Sequence, residues 1–160
     1  MAPFVETQTF RSSSLGRVGM LLGAIPGLIG VVMLIAARSA PSRVTGGSLI
    51  VVSVTVAVSF LVPWLRVEVQ GATLTYRFFP FHGKPRIVDL RDVRAARAVT
   101  YRPIRDYGGW GIRIGAKGWA YNVSGDRGVE LELRDGTLLL IGSQRPEELA
   151  AAIESGRPGG

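Results

Sequence analysis

Val18–Ala37, VGMLLGAIPGLIGVVMLIAA, carries no charged residue. At ~1.5 Å per residue it makes a helix of about 30 Å, the thickness of a bilayer's hydrocarbon core. A second uncharged run covers Val44–Leu65, with its apolar heart at Ser48–Trp64. Only Arg38–Arg43, containing Pro41, lies between them. Two spans joined so briefly must run antiparallel. A cleaved signal peptide fits poorly, because its apolar part is roughly 7–15 residues long and Pro41 follows the candidate cleavage site at Ala40. A soluble core helix is rarely uncharged over this length. The second run is rich in Val, Ser and Thr, yet in lipid the backbone must satisfy itself and becomes helical. Trp64, beside Pro63 at the exit, is expected to act as an interfacial anchor.

Orientation follows the flanking basic residues. Arg11, Arg17, Arg66, Arg77 and Lys84 surround the two ends of the pair, against Arg38 and Arg43 in the loop. Both termini are therefore expected in the cytoplasm, in a multi-pass protein of a bacterial cytoplasmic (inner) membrane. Gly19, Gly23 and Gly27 recur at helical spacing and form a helix-packing face. That face would serve a homo-oligomer or the second span of the same chain. The second use is preferred, because a helical hairpin needs such a contact in any case.

From Leu65 the apolar period changes from helical to two, as in half-buried strands. Leu65, Val67 and Val69 alternate with Arg66, Glu68 and Gln70, and Gly71-Ala72 suits a tight hairpin turn. Folding there pairs Val69 with Leu74, Val67 with Tyr76 and Leu65 with Phe78. A second hairpin turns through Gly115–Gly118 and pairs Ile114 with Trp119, Ile112 with Tyr121 and Trp110 with Val123. A third turns at Asp135-Gly136, where Leu133 meets Leu138 and Leu131 meets Leu140. Two vaguer strands lie near Arg86–Leu90 and Ala95–Tyr101, giving about eight strands in all. Pro146, Glu147 and Glu148 open a final helix with an apolar stripe at Pro146, Leu149, Ala150 and Ile153. The expected organisation is a cytoplasmic N-terminal segment (1–17), a two-helix transmembrane hairpin (18–65), a mainly antiparallel β domain with a C-terminal helix (66–155) and a flexible tail (156–160).

The stretch Gly108–Arg113, the run Tyr121–Ser124 and the segment Leu131–Ile153 resemble the pleckstrin-homology-like (PH-like) domain of small bacterial membrane proteins. The resemblance implies a PH-like β barrel or sandwich closed by one C-terminal helix, preceded by two membrane spans. It implies no chemistry. It also departs from lipid-binding PH domains, because the first hairpin loop, Gln70–Thr73, is short and uncharged. A small OB barrel is the other fold considered, but its helix usually lies between middle strands.

The chain has no cysteine and a single histidine, His82. Disulfides, thiolate chemistry and metal sites built on Cys or several His are thereby excluded. No catalytic, cofactor-binding or metal-ligating residues are assigned, no cofactor is expected, and the protein is not expected to be an enzyme. The net charge of +7 is unevenly spread. From Arg66 to Arg105 there are nine Lys/Arg against three Asp/Glu, and from Asp106 onward six against eight. Arg66, Arg77, Lys84, Arg86, Arg91, Arg94 and Arg97 are candidates to meet anionic lipid, each worth about 1 kcal/mol near such a leaflet. The alternative is an ordinary solvated face. No nucleic-acid partner is expected, since no stacking platform accompanies the charge. Trp110, Trp119 and Tyr121 read as core from their phase. The loop Pro103–Gly109 is a place for binding residues. His82 reads as a turn residue, and Glu130 and Glu132 as a solvated strand face.

The functional expectation is a non-enzymatic integral membrane protein. Besides the bilayer, it would present its β domain to an unknown protein partner or to anionic lipid head groups. The alternative is an accessory subunit of a larger membrane complex, assembled through the transmembrane helices.

Overall fold

The computed structural model describes residues 3–115 and 118–157. It divides the chain into two compact units. One is helical and spans Phe10–Pro63. The other combines the residues up to Thr9 with those from Trp64 onward.

The helical unit is an antiparallel pair, α1 (Ser14–Ala36) and α2 (Ala40–Leu61). Both are long and apolar enough to cross a bilayer, and almost none of their surface is buried within the chain. Each starts about a turn earlier than the uncharged runs suggested. Ser13 caps α1 by accepting from Gly16 N at 2.9 Å, and Ser39 precedes α2 with Pro41 in its first turn. Both are favoured helix starts. The glycine face of α1 meets α2. A methyl on Gly19 would strike the Phe60 ring, one on Gly23 would lie 2.7 Å from Val56 Cγ1, and one on Gly27 would meet Ser53. Gly30 extends the seam against Gly46. Ser53 Oγ crosses it to donate to Gly23 O at 2.5 Å. The outward hydroxyls of Ser48, Thr55 and Ser59 donate to carbonyls one turn back in α2. They leave no unmet bond on an apolar surface.

The second unit contains two sheets. The first runs in the order β1 (Phe4–Thr9), β2 (Trp64–Gln70), β3 (Thr73–Phe79) and β4 (Arg86–Asp89), all antiparallel. The second has the order β5-β8-β9-β7-β6. Its strands are β5 (Val93–Thr100), β6 (Gly111–Gly115), β7 (Gly118–Asn122), β8 (Arg127–Leu133) and β9 (Leu138–Gly142). A short helix, α3 (Pro103–Tyr107), joins β5 to β6, and α4 (Pro146–Gly156) follows β9. Leu149 and Ile153 of α4 are fully buried, and Glu154 accepts from Ala96 N of β5 at 3.0 Å.

Several expectations need correction. Among the described residues no closed barrel forms, and β7 and β9 pair in parallel. The N-terminal segment 1–17 is not separate from the β domain, because Phe4–Thr9 is a strand paired with β2 from Phe4↔Val69 to Thr9↔Trp64. The helical hairpin is thus an insertion between two paired strands. Trp64 and Leu65 belong to β2 rather than to the second helix. The first hairpin has the expected register, Leu65↔Phe78 through Val69↔Leu74. The second matches at Ile112↔Tyr121 and Ile114↔Trp119, while Trp110 lies outside its strand; residues 116 and 117 of its turn lie outside the described residues. The third slips by one, to Leu131↔Leu139. Leu133 N donates to Thr137 O and Gly136 N to Leu133 O, so the loop has three residues, with Gly136 left-handed at φ 86. That loop type needs a residue in the left-handed region, which glycine supplies. Gly156 is the last residue of α4, and residues 158–160 of the expected tail lie outside the described residues.

β1 joins the two sheets through side chains. Gln8 Nε2 donates to Gly142 O at 2.7 Å. The buried Glu6 carboxylate accepts from Ser143 Oγ at 2.5 Å and Gln144 N at 2.8 Å. Arg145 donates to Val5 O and lies over the Phe4 ring at 4.7 Å.

Replacing residues 10–63 by Asn-Gly between the paired Thr9 and Trp64 should give a soluble β domain. A fragment starting at residue 66 should aggregate, for want of β1; size-exclusion chromatography and circular dichroism distinguish the two. In the helices, Gly30→Ala would place a methyl 2.6 Å from Gly46 O, whereas Gly47 faces open space. Gly30→Ala should cost about 1–3 kcal/mol, as overpacking does, and Gly47→Ala almost nothing, measured by reversible unfolding in mixed micelles.

Candidate functional site

The inner faces of the two sheets part along one side, next to the edge strand β4. A cleft of about 210 Å3 opens there between Tyr76, Arg86 and Val88 of the first sheet and Trp119, Tyr121 and Leu139 of the second. Leu133 and Thr137, at the β8–β9 turn, close one end. Tyr76 and Tyr121 meet at 4.9 Å between ring centroids, and Trp119 stacks on Tyr121 at 6.2 Å. Burial first, and then the Tyr121 hydroxyl beside it, hold the Tyr76 phenol well above its usual range. It is therefore a neutral hydrogen-bonding group. Arg86 makes no ion pair with a described residue. Trp119 is 42% exposed and Ile114 66% exposed. The expectation that the β6–β7 aromatics are all core therefore holds for Tyr121 only. β6 is the edge of its sheet, and Ile114 on it and its cross-strand partner Trp119 on β7 are left partly uncovered.

His82 is the turn residue that its setting suggested, and it is buried. Its backbone N donates to Phe78 O at 2.8 Å, while its Nδ1 accepts from Phe78 N at 3.3 Å. The imidazole lies against Tyr76 and Tyr121 at 6.0 and 5.3 Å. Burial, followed by the charge of Arg86, lowers its pKa. The neutral form suits an Nδ1 that accepts a bond.

The seven basic candidates do not form one surface. Arg66 and Arg77 face each other across β2 and β3. Arg66 contacts Glu68 at 3.4 Å. Arg77 lies over the stacked rings of Trp64 and Phe79 and donates to the carbonyls of His82 and Gly83, both at 3.2 Å. Lys84 is exposed in the turn that follows. Arg91 pairs with Asp89 at 2.6 Å, and that pairing holds the Asp89 carboxyl at about 2. Arg94 pairs with Glu132 at 2.8 Å, and Arg97 lies opposite Glu130 on β5, in the other sheet. Arg86 turns towards the cleft. The structure therefore unites Arg66, Arg77 and Lys84 with Trp64, and separates Arg91, Arg94 and Arg97 from them.

Other sequence candidates take structural roles. Pro103–Gly109 is the helix α3 with Gly108 as a left-handed cap, and it packs Tyr107 edge-on against Tyr101 over Ala120 and Leu140. The register slip in β9 turns Leu140 into this second cluster. Burial raises the Tyr101 phenol to about 12; Asn122 beside it tempers the shift but falls short of a formed hydrogen bond. Asn122 is fully buried and accepts from Gly111 N at 2.9 Å, so its sequon offers no site for a glycan. Trp110 Nε1 donates to Gly125 O at 2.9 Å. Among the described residues, no group of three or more His, Asp or Glu is placed to hold a metal. No protein-family model matches the chain, and no curated protein is significantly similar to it.

The cleft escaped the sequence reading because Tyr76, Arg86 and Trp119 come from three strands in two sheets. No local pattern links them.

Because folding lowers the His82 pKa below its ordinary 6.5, the unfolded chain takes up the proton first. Stability should be full above pH 6.5 and fall as the pH drops below it. His82→Gln should flatten that slope between neutral and mildly acidic pH, in denaturant titrations of the detergent-solubilised protein.

Proposed function

We propose that this chain is a non-enzymatic integral membrane protein that holds a PH-like domain at the cytoplasmic face of a bacterial inner membrane, as a docking surface for a protein partner. The observation that carries the reading is the aromatic cleft beside β4. It combines an edge strand, partly exposed Trp119, neutral Tyr76 and an Arg86 without a carboxylate partner among the described residues. An extended acidic segment of a partner suits it, adding a strand to β4 and offering a carboxylate to Arg86. The two apolar helices support the membrane assignment. Insertion of their hairpin between β1 and β2 supports a domain tethered at two adjacent strands. Both termini then share a side, and the positive-inside rule puts that side in the cytoplasm. The PH-like assignment is supported by two mainly antiparallel sheets followed by one C-terminal helix.

A second reading, contact with anionic lipid head groups, is favoured by Trp64, Arg66, Arg77 and Lys84 gathering at one end of the first sheet. Assembly as an accessory subunit, or as a homo-oligomer, has less support. The Gly19, Gly23 and Gly27 face is already covered by α2.

A photo-reactive phenylalanine in place of Trp119 should crosslink a discrete partner in intact cells, and Arg86→Glu should reduce the adduct severalfold. If position 119 captures no more than the exposed position Ile104, the cleft is not the docking site.

A further inference from the structure

We propose that the turn between β3 and β4 is a lipid-contacting loop that inserts Phe81 into the head-group region of the bilayer, with Arg77 and Lys84 meeting lipid phosphates. The inference rests on the reading of α1 and α2 as membrane spans, and it adds residues and a ligand class to the tethered domain.

Thr9 and Trp64 form one paired row, and Trp64 pairs in turn with Phe79. The chain leaves for the hairpin directly after Thr9 and returns directly before Trp64. The end of the sheet holding this row is therefore its covalently tethered end, and the β3–β4 turn starts there, just after Phe79.

The turn at that end carries Phe81, with 70% of its surface exposed. On the outward face of the sheet come first the stacked rings of Trp64 and Phe79, 5.5 Å apart. One row further in are Arg66 and Arg77, directly opposite each other. Aromatic rings followed by cations is the order that an interface between hydrocarbon and phosphate selects. Like charges opposed across a ladder are unfavourable in water, and an anionic surface relieves them.

The turn is also built to hold Phe81 outward. His82 is fastened to Phe78 by two hydrogen bonds, and Arg77 grips the carbonyls of His82 and Gly83. Phe81, just before His82, has its ring alongside that of Phe78, at 6.0 Å.

The chain lacks cysteine, so single-cysteine variants can carry an environment-sensitive fluorophore. The full-length protein is reconstituted in phosphatidylcholine vesicles with or without phosphatidylglycerol, and quenched by head-group or mid-chain nitroxide lipids. Labels are placed at Phe81→Cys, at Gly83→Cys in open space, at Ile104→Cys as an exposed control, and at Leu28→Cys in α1. The labels at 81 and 83 should be quenched by head-group nitroxide severalfold more than that at 104. Phosphatidylglycerol should strengthen the effect, and Lys84→Gln should remove that gain. Labels at 81 and 83 as aqueous as 104, with Leu28 quenched by mid-chain nitroxide, overturn the inference alone. So does a label shielded from water but untouched by lipid nitroxide, which would indicate protein at the loop. An unquenched Leu28 would overturn the membrane reading itself.

Discussion

The antiparallel ladder between β1 and β2 is the interaction on which the rest of this structure depends. It binds Phe4–Thr9 to Trp64–Gln70 across the whole helical hairpin. Closing so long an excursion costs chain entropy, though that cost grows only slowly with length. The ladder and the side-chain bonds of Glu6, Gln8 and Arg145 offset it. A buried carboxylate such as Glu6 is costly unless its lone pairs are met. Here Ser143 and Gln144 meet them, so the same residues that make β1 polar also fix its place against the second sheet.

A domain attached at one point can tumble about its linker. Here the chain leaves the first sheet after Thr9 and returns to it at Trp64, so both connections to the helices lie on adjacent, paired strands. Trp64, Phe79, Arg66 and Arg77 gather at the same end of that sheet. The cleft beside β4 lies on the opposite edge of the same sheet from β1. The strand that carries the chain to the helices and the cleft thus lie at different edges of the sheet.

The helices show the same economy. Five glycines of α1, at 16, 19, 23, 27 and 30, leave no room for side chains beside their neighbours. Close backbone approach of this kind gives an apolar helix pair its van der Waals packing. Hydroxyls on α2 either cross the seam, as Ser53 does, or bond back to their own helix. The remaining surface is apolar and needs no partner helix to satisfy it.

The sequence by itself determined the elements whose signal is local. Two uncharged runs dictated the two helices, strict alternation dictated the register of β2 with β3, and Pro-Glu-Glu before an apolar stripe dictated α4. Alternation failed where both faces of a strand are buried. In Leu138–Ile141 every residue is apolar, so a one-residue slip left no trace in the pattern, and the loop geometry at Gly136 decided the register. It failed again at β1, whose inward residues include Glu6 and Gln8. Those polar groups are buried only because distant atoms of residues 142–144 complete their hydrogen bonds. The cleft and the cluster of Trp64, Arg77 and Phe79 belong to the same class. Tyr76, Arg86 and Trp119, or Trp64, Arg77 and Phe79, acquire a shared surface only when strands far apart in the chain are paired. Tertiary structure decides such sites because proximity in space, rather than periodicity along the chain, is what gives them their chemistry.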